Sequence, residues 1–122
     1  MHEFSVCHDL LRQVEDLARA HHARAVSVIH LQIGPLSGIE AALLEQAFTV
    51  ARAGTVAAAA VLTTVALPIR VRCQSCGAVG EVAPNRLVCG ACGDWHTELL
   101  SGDELLLASV ELELELEEND DV

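Results

Sequence analysis

Two segments with the helical spacing of apolar residues, three with the character of strands, and two Cys-x-x-Cys pairs set between the last two strands predict an α+β fold. Two helices pack on one face of a three-stranded sheet, and the cysteine segment is an insert held together by metal. At 122 residues the chain is long enough for one core with one appendage, and too short for two ordinary domains.

From about Glu3 to Ala23, the apolar residues Val6, Leu10, Val14 and Leu17 are separated by charged ones, which places one aliphatic stripe on an amphipathic helix. Cys7 is expected at the margin of that stripe as a small hydrophobe, and His8 in solvent. His21 and His22 end the helix, where an imidazole suits the negative end of the helix dipole. Residues 25–34, AVSVIHLQIG, form a β-branched strand that Gly34-Pro35 must end, with His30 at a sheet edge.

Ser37 and Glu40 have the spacing of a capping box for a second helix, whose stripe reads Ile39, Leu43, Ala47 and Val50, with Gly54 as its stop. Val61 to Val71 reads as a second strand, which Pro68 confines to an edge or cuts short. The stretch from about Arg72 to Ser101 is broken by Gly, Asn and Pro and has little apolar material of its own. From Glu104 to Leu116 an apolar run becomes strict alternation, with Val110, Leu112, Leu114 and Leu116 facing one way and Glu111, Glu113 and Glu115 the other. The expected organisation is a domain over 1–70 completed by a return strand at 103–117, a cysteine module over 71–102, and an acidic tail at 118–122.

A hydrophobic fraction of 52% excludes general disorder, and an aromatic fraction of 2% makes the core aliphatic. Seven arginines, no lysine and eighteen acidic residues give a net charge of -11, which excludes nucleic acid as a partner because phosphate contacts need a clustered basic surface. Acids crowding the end of the chain read as a solvated strand face and tail. The uncharged stretch from Ala53 to Ile69 is interrupted by Gly54, Thr residues and Pro68, so no membrane span is expected. The opening MHEFSVCHDL has acids and histidines where a signal peptide needs basic residues and then an apolar run, so a cytoplasmic protein is expected.

The cysteines carry the first chemistry. Cys73-Gln-Ser-Cys76-Gly77 and Cys89-Gly-Ala-Cys92-Gly93 are two tight turns, each offering two thiolates to one ion, with a glycine relieving the backbone as it reverses. Four soft ligands in a tetrahedron suit Zn(II), as an inserted zinc-ribbon module whose metal is structural. The same ligands serve iron in rubredoxin-like proteins; zinc is preferred because nothing in the sequence indicates electron transfer. Disulfides conflict with the expected compartment, and a redox dithiol needs one pair rather than two.

Met1-His2-Glu3 carries the second. A lone His near a terminus is ordinarily solvated. Here the Met1 amine, the His2 backbone nitrogen and its imidazole can close adjacent chelate rings, and planar nitrogen donors favour Ni(II) or Cu(II).

With this opening, the IGPLSGIE segment at 33–40, the helix ending in AFTVARAGT, the double Cys-x-x-Cys and the return SGDELLLASVELE at 101–113, the sequence resembles the HypA/HybF family of hydrogenase-maturation proteins. The resemblance spans nearly the whole chain in order. It implies a nickel metallochaperone, with Ni(II) as transient cargo delivered during maturation of the nickel-iron hydrogenase large subunit. His2 would be the essential nickel ligand, Met1 and Glu3 would complete the site, and Glu40 would stand beside it. His96 would be a surface loop residue, with a role beside the metal open to it. The implied partners are a HypB-type GTPase accessory protein and the large-subunit precursor, with urease served in some organisms. From the residues themselves, apolar edge strands fit a monomer or weak homodimer, and with no nucleophile and base in a recognisable arrangement and a closed cysteine site no enzyme is expected. The competing reading is a zinc-ribbon adaptor that only docks proteins.

Overall fold

The computed structural model describes residues 2–114; Met1, the side chain of His2 and residues 115–122 lie outside the described residues. The elements run α1 (His2–Ala20), β1 (Ala23–Ile33), α2 (Ala41–Ala51), β2 (Val61–Ala66), β3 (Ile69–Cys73), β4 (Val79–Val82), β5 (Thr97–Ser101) and β6 (Leu105–Leu114). They form two three-stranded sheets, in the orders β2-β1-β6 and β4-β3-β5. The fold is the expected α+β arrangement of two helices on a three-stranded sheet with an inserted cysteine module. The chain divides into two compact units, one of residues 1–31, 40–63 and 107–122, the other of 32–39 and 64–106.

The first unit's core is aliphatic, as composition required. Cys7, Leu10, Leu11, Val14 and Ala18 of α1, Leu44, Ala47 and Phe48 of α2, and Val26, Ile29 and Leu31 of β1 are all buried. Cys7 sits at the centre of the α1 stripe and not at its margin: it is fully buried, with its thiol against the Leu44 carbonyl at 3.6 Å. Burial pushes that thiol up, so Cys7 stays a neutral small hydrophobe. Leu17, expected in the core, is 38% exposed, because Ala18 takes the inward place. α1 ends three residues earlier than the periodicity indicated. His22, at φ 56 in the left-handed region, turns the chain directly into β1.

The expected capping box does not form. The residue before α2 is Glu40, which makes no side-chain cap bond, and Ser37 Oγ accepts instead from the N–H of Ile39 at 3.2 Å. Gly38, at φ +82, breaks any helix begun at Ser37, so α2 starts only at Ala41. The inward stripe of α2 shifts accordingly to Leu44, Ala47 and Phe48, leaving Leu43 and Val50 exposed.

His30 is also displaced from its expected edge. β1 is the central strand, and His30 spans both neighbours, with Nδ1 at 2.7 Å from Thr63 Oγ1 and Nε2 at 3.0 Å from Glu111 Oε2. In β6 the half-buried positions are Leu105 and Leu107 and then Val110 and Leu112, so the expected alternation holds at Val110 and Leu112, whereas Leu114 is exposed and Glu115 and Leu116 lie outside the described residues.

In the second unit, the single strand expected over 61–71 is two. Leu67-Pro68 interrupts it, and its second half, β3, is the centre of the other sheet. β3 pairs antiparallel with β4 and with β5, and burial alternates along it as Ile69, Val71 and Cys73 turn inward. The IGPLSG and SGDE segments meet here: the N–H of Gly34 donates to the Glu104 carbonyl at 2.7 Å and that of Leu36 to the Gly102 carbonyl at 2.8 Å. A Cβ on Gly34 would stand 2.2 Å from the Gly102 carbonyl oxygen, so only glycine fits.

Candidate metal centre

Each cysteine pair is a small self-bonded turn. In the first, the N–H groups of Ser75 and Cys76 donate to Cys73 Sγ at 3.3 and 3.4 Å, and Gly77, at φ +78, donates to the Cys73 carbonyl at 3.0 Å. The second repeats it: Ala91 and Cys92 donate to Cys89 Sγ at 3.3 and 3.4 Å, and Gly93, at φ +79, to the Cys89 carbonyl at 2.9 Å. A left-handed glycine after the second cysteine lets the chain reverse while main-chain donors point at the first sulfur.

The turns face each other. All four Sγ atoms lie within 4.8 Å of one another, with Cys73 to Cys92 at 3.6 Å and Cys76 to Cys89 at 3.5 Å. A tetrahedral zinc with Zn–S bonds of about 2.3 Å has S···S edges of about 3.8 Å, so the cluster fits the ion with adjustments of a few tenths of an ångström. Cys73 and Cys89 are buried while Cys76 and Cys92 are exposed. With four protein sulfurs no coordination position stays open, which suits holding a fold and not binding a substrate.

The electrostatics are unequal within each turn. Backbone N–H donation, chiefly from Cys76, holds the Cys73 thiol below the usual thiol range, and donation from Cys92 and then Ala91 brings Cys89 down to about 6. Cys76 and Cys92 each receive one lowering N–H, from Ala78 and Asp94. The neighbouring sulfurs Cys89 and Cys73 outweigh it and raise both, Cys92 to about 12. A divalent cation here displaces protons from Cys76 and Cys92 and finds thiolate character already present on Cys73 and Cys89.

A polar clamp that the spacing did not reveal joins the two turns. The Ser75 hydroxyl donates to the Asp94 carboxylate, whose other oxygen accepts from the His96 N–H at 3.1 Å and contacts His96 Nδ1 at 2.8 Å. These donors, Ser75 first, hold the Asp94 carboxyl well below the usual carboxylate range. The His96 carbonyl accepts from Gln74 N–H at 2.8 Å, and its ring stacks on Trp95 at 3.8 Å. His96 is therefore a surface loop residue tied to both turns. The sequence signal was an acid two residues beyond the last cysteine, which proximity alone does not mark as a clamp.

The other candidate residues are at the helix starts. Glu3 lies in the first turn of α1. Glu40 is exposed, and its carbonyl accepts the first bond of α2, from Leu44 at 2.9 Å. Met1 and the His2 side chain fall outside the described residues. Among the described residues, the four cysteines are the one cluster of three or more metal-ligating side chains, and no helix is long and apolar enough to cross a membrane.

Comparison with known proteins places this architecture. Residues 1–112 match the family model described as hydrogenase/urease nickel incorporation, metallochaperone, HypA. The chain is 46% identical over 112 residues to the hydrogenase maturation factor HypA of Nitrosospira multiformis, covering 92% of this chain and 97% of that protein. It is 39% identical to the corresponding factor of Aquifex aeolicus, covering 94% of this chain and all of that one. The solution structure of the Ni metallochaperone HypA from Helicobacter pylori superposes with a TM-score of 0.69 at 27% identity, over 93% of this chain and 98% of that one. A family-model match over residues 1–112, with relatives up to 46% identical over nearly their whole length, establishes that this chain belongs to the HypA family of hydrogenase-maturation nickel metallochaperones.

Proposed function

We propose that this chain carries Ni(II) as cargo to the precursor of a nickel-iron hydrogenase large subunit, working in the cytoplasm with a HypB-type GTPase, and that Cys73, Cys76, Cys89 and Cys92 hold a structural Zn(II). What supports the reading is the family match, which runs from residue 1 through both cysteine pairs. Domain boundaries of 1–70 with 103–117 for the nickel-binding part, 71–102 for the zinc-binding part and 118–122 for an acidic tail belong to the same proposal.

The nickel ligands are the Met1 amine, the His2 imidazole and neighbouring main-chain nitrogens, with Glu3 completing the site and Glu40 beside it. α1 begins at His2, so the nitrogens of residues 2 and 3 lie in the first turn, where helix formation does not claim the N–H groups. The positive end of the α1 dipole opposes a cation there, and the Glu3 carboxylate offsets part of that opposition. The balance favours loose, exchangeable binding, which a carrier needs. Transfer is ligand exchange: the recipient's donors replace those of the terminus one at a time, and no covalent bond of a substrate is made or broken. Zinc, when bound, supplies only a cross-link between the two turns.

Metal stoichiometry and competition binding on the wild type and His2→Ala test the reading. Zinc is retained in both, and nickel is lost in the variant alone. Nickel bound equally by both would remove His2 from the site. Zinc without nickel in both would favour the zinc-ribbon adaptor.

A further inference from the structure

α2 carries an apolar stripe that its own fold does not bury. Leu44, Ala47 and Phe48 turn inward, while Leu43, 43% exposed, and Val50, 65% exposed, stand beside them at helical spacing. Phe4, from the first turn of α1 and 37% exposed, joins that stripe. Together with Glu3, Gln46 and Ala47 they line an open groove of about 340 Å³. Single exposed apolar side chains are ordinary, but three converging on one concavity along a helix have the form of a docking surface.

We infer that this groove docks an apolar side chain carried on a basic segment of the protein with which the chain exchanges nickel. The charge distribution selects that occupant over a second copy. Among the described residues, the unit that contains the groove holds eight acidic residues and four arginines. All four arginines are engaged within the chain: Arg12 with Asp9, Arg19 with Asp16, Arg24 with Glu113, and Arg52 with the Ala60 carbonyl. Two copies meeting groove to groove bring two acidic surfaces together, whereas a basic segment is attracted. Glu3 and Phe4 are the next two residues after His2, and the helix rises only about 1.5 Å per residue, so an occupant of the groove is seated beside the nickel-bearing terminus. The partner's role rests on the nickel-carrier reading; the groove itself does not.

The test measures binding of the zinc-loaded chain to the GTPase accessory protein and to the large-subunit precursor of the same organism, at low and high salt. Val50→Arg and the pair Leu43→Ser with Val50→Ser are compared with wild type, with Val50→Leu as a conservative control. At least one partner binds wild type and Val50→Leu, more weakly at high salt, and loses tenfold or more affinity for the other variants, whose helical signal and metal stoichiometry are unchanged. His2→Ala does the reverse, keeping partner affinity while losing nickel. Should wild type itself bind no nickel, the nickel-carrier reading fails and the docking result still stands. Equal affinity of all groove variants, binding of neither partner to wild type, binding indifferent to salt, or a wild-type dimer that Val50→Arg dissociates would each overturn the inference.

Discussion

Removing zinc should unfold the cysteine module while leaving the helices standing. The best-buried aliphatic side chains of that unit are Ile33, Ile69 and Val71, and two further buried residues, Cys73 and Cys89, are themselves ligands. Full burial of an aliphatic side chain stabilises by about 1.5–3 kcal/mol, so these three contribute less than about 9 kcal/mol. Structural zinc contributes roughly 10–16 kcal/mol at neutral pH. The metal therefore outweighs the module's aliphatic core, whereas α1, α2 and the first unit's part of β1 share eleven buried side chains without it. Trp95, the only tryptophan, lies in the module and both helices in the other unit, so two signals separate them. Titration with a strong zinc chelator should change Trp95 emission and abolish amide-exchange protection of β3, β4 and β5, with ellipticity at 222 nm largely retained. Unchanged Trp95 emission and β3–β5 protection after zinc has left, or helical signal collapsing at the same chelator concentration, would refute this reasoning.

Zinc affinity should rise with pH. Cys92, at about 12, and Cys76, also raised, are protonated near neutrality, so binding releases at least two protons and affinity gains roughly a hundredfold per pH unit. Below about pH 6, where Cys89 also protonates, the dependence should steepen; competition titrations across pH 5.5 to 8 check both. Leu44→Ala, at a fully buried position between the helices, should destabilise the first unit by about 2–5 kcal/mol in urea unfolding followed by ellipticity. Gly34→Ala must move the Gly102 carbonyl from 2.2 Å to an ordinary contact distance and should cost about 1–3 kcal/mol or more, read as a lowered midpoint of β3–β5 unfolding by amide exchange.

Much of the fold was legible because strong periodicity survives packing. The α1 stripe, the β-branched run of β1 and the alternation of β6 each encode one buried face. What misled was local chemistry with two solutions. Ser37 and Glu40 have capping-box spacing, yet Gly38 between them takes a left-handed conformation that forbids the helix turn. On α2 two adjacent apolar stripes exist, and only Phe48, an aromatic outside the expected stripe, marks the one that faces inward. His30 carries no sign of whether its strand is central or at an edge, because that depends on pairing partners far along the chain. The second sheet was missed because β4 and β5 are short and largely exposed, and β4 carries Gly80; they are fixed by β3 and by the cysteine turns more than by their own composition. The four-cysteine cluster was readable because spacing alone constrains it, whereas the Ser75–Asp94–His96 clamp depends on the two turns being folded against each other.

The central claim is that a free amino terminus grips nickel through its first residues. Isothermal competition binding on the native chain and on a chain with one glycine added before Met1, both zinc-loaded, tests it most directly. Extension should abolish nickel binding while zinc content and helical signal stay unchanged. Undiminished nickel affinity in the extended chain would contradict the account.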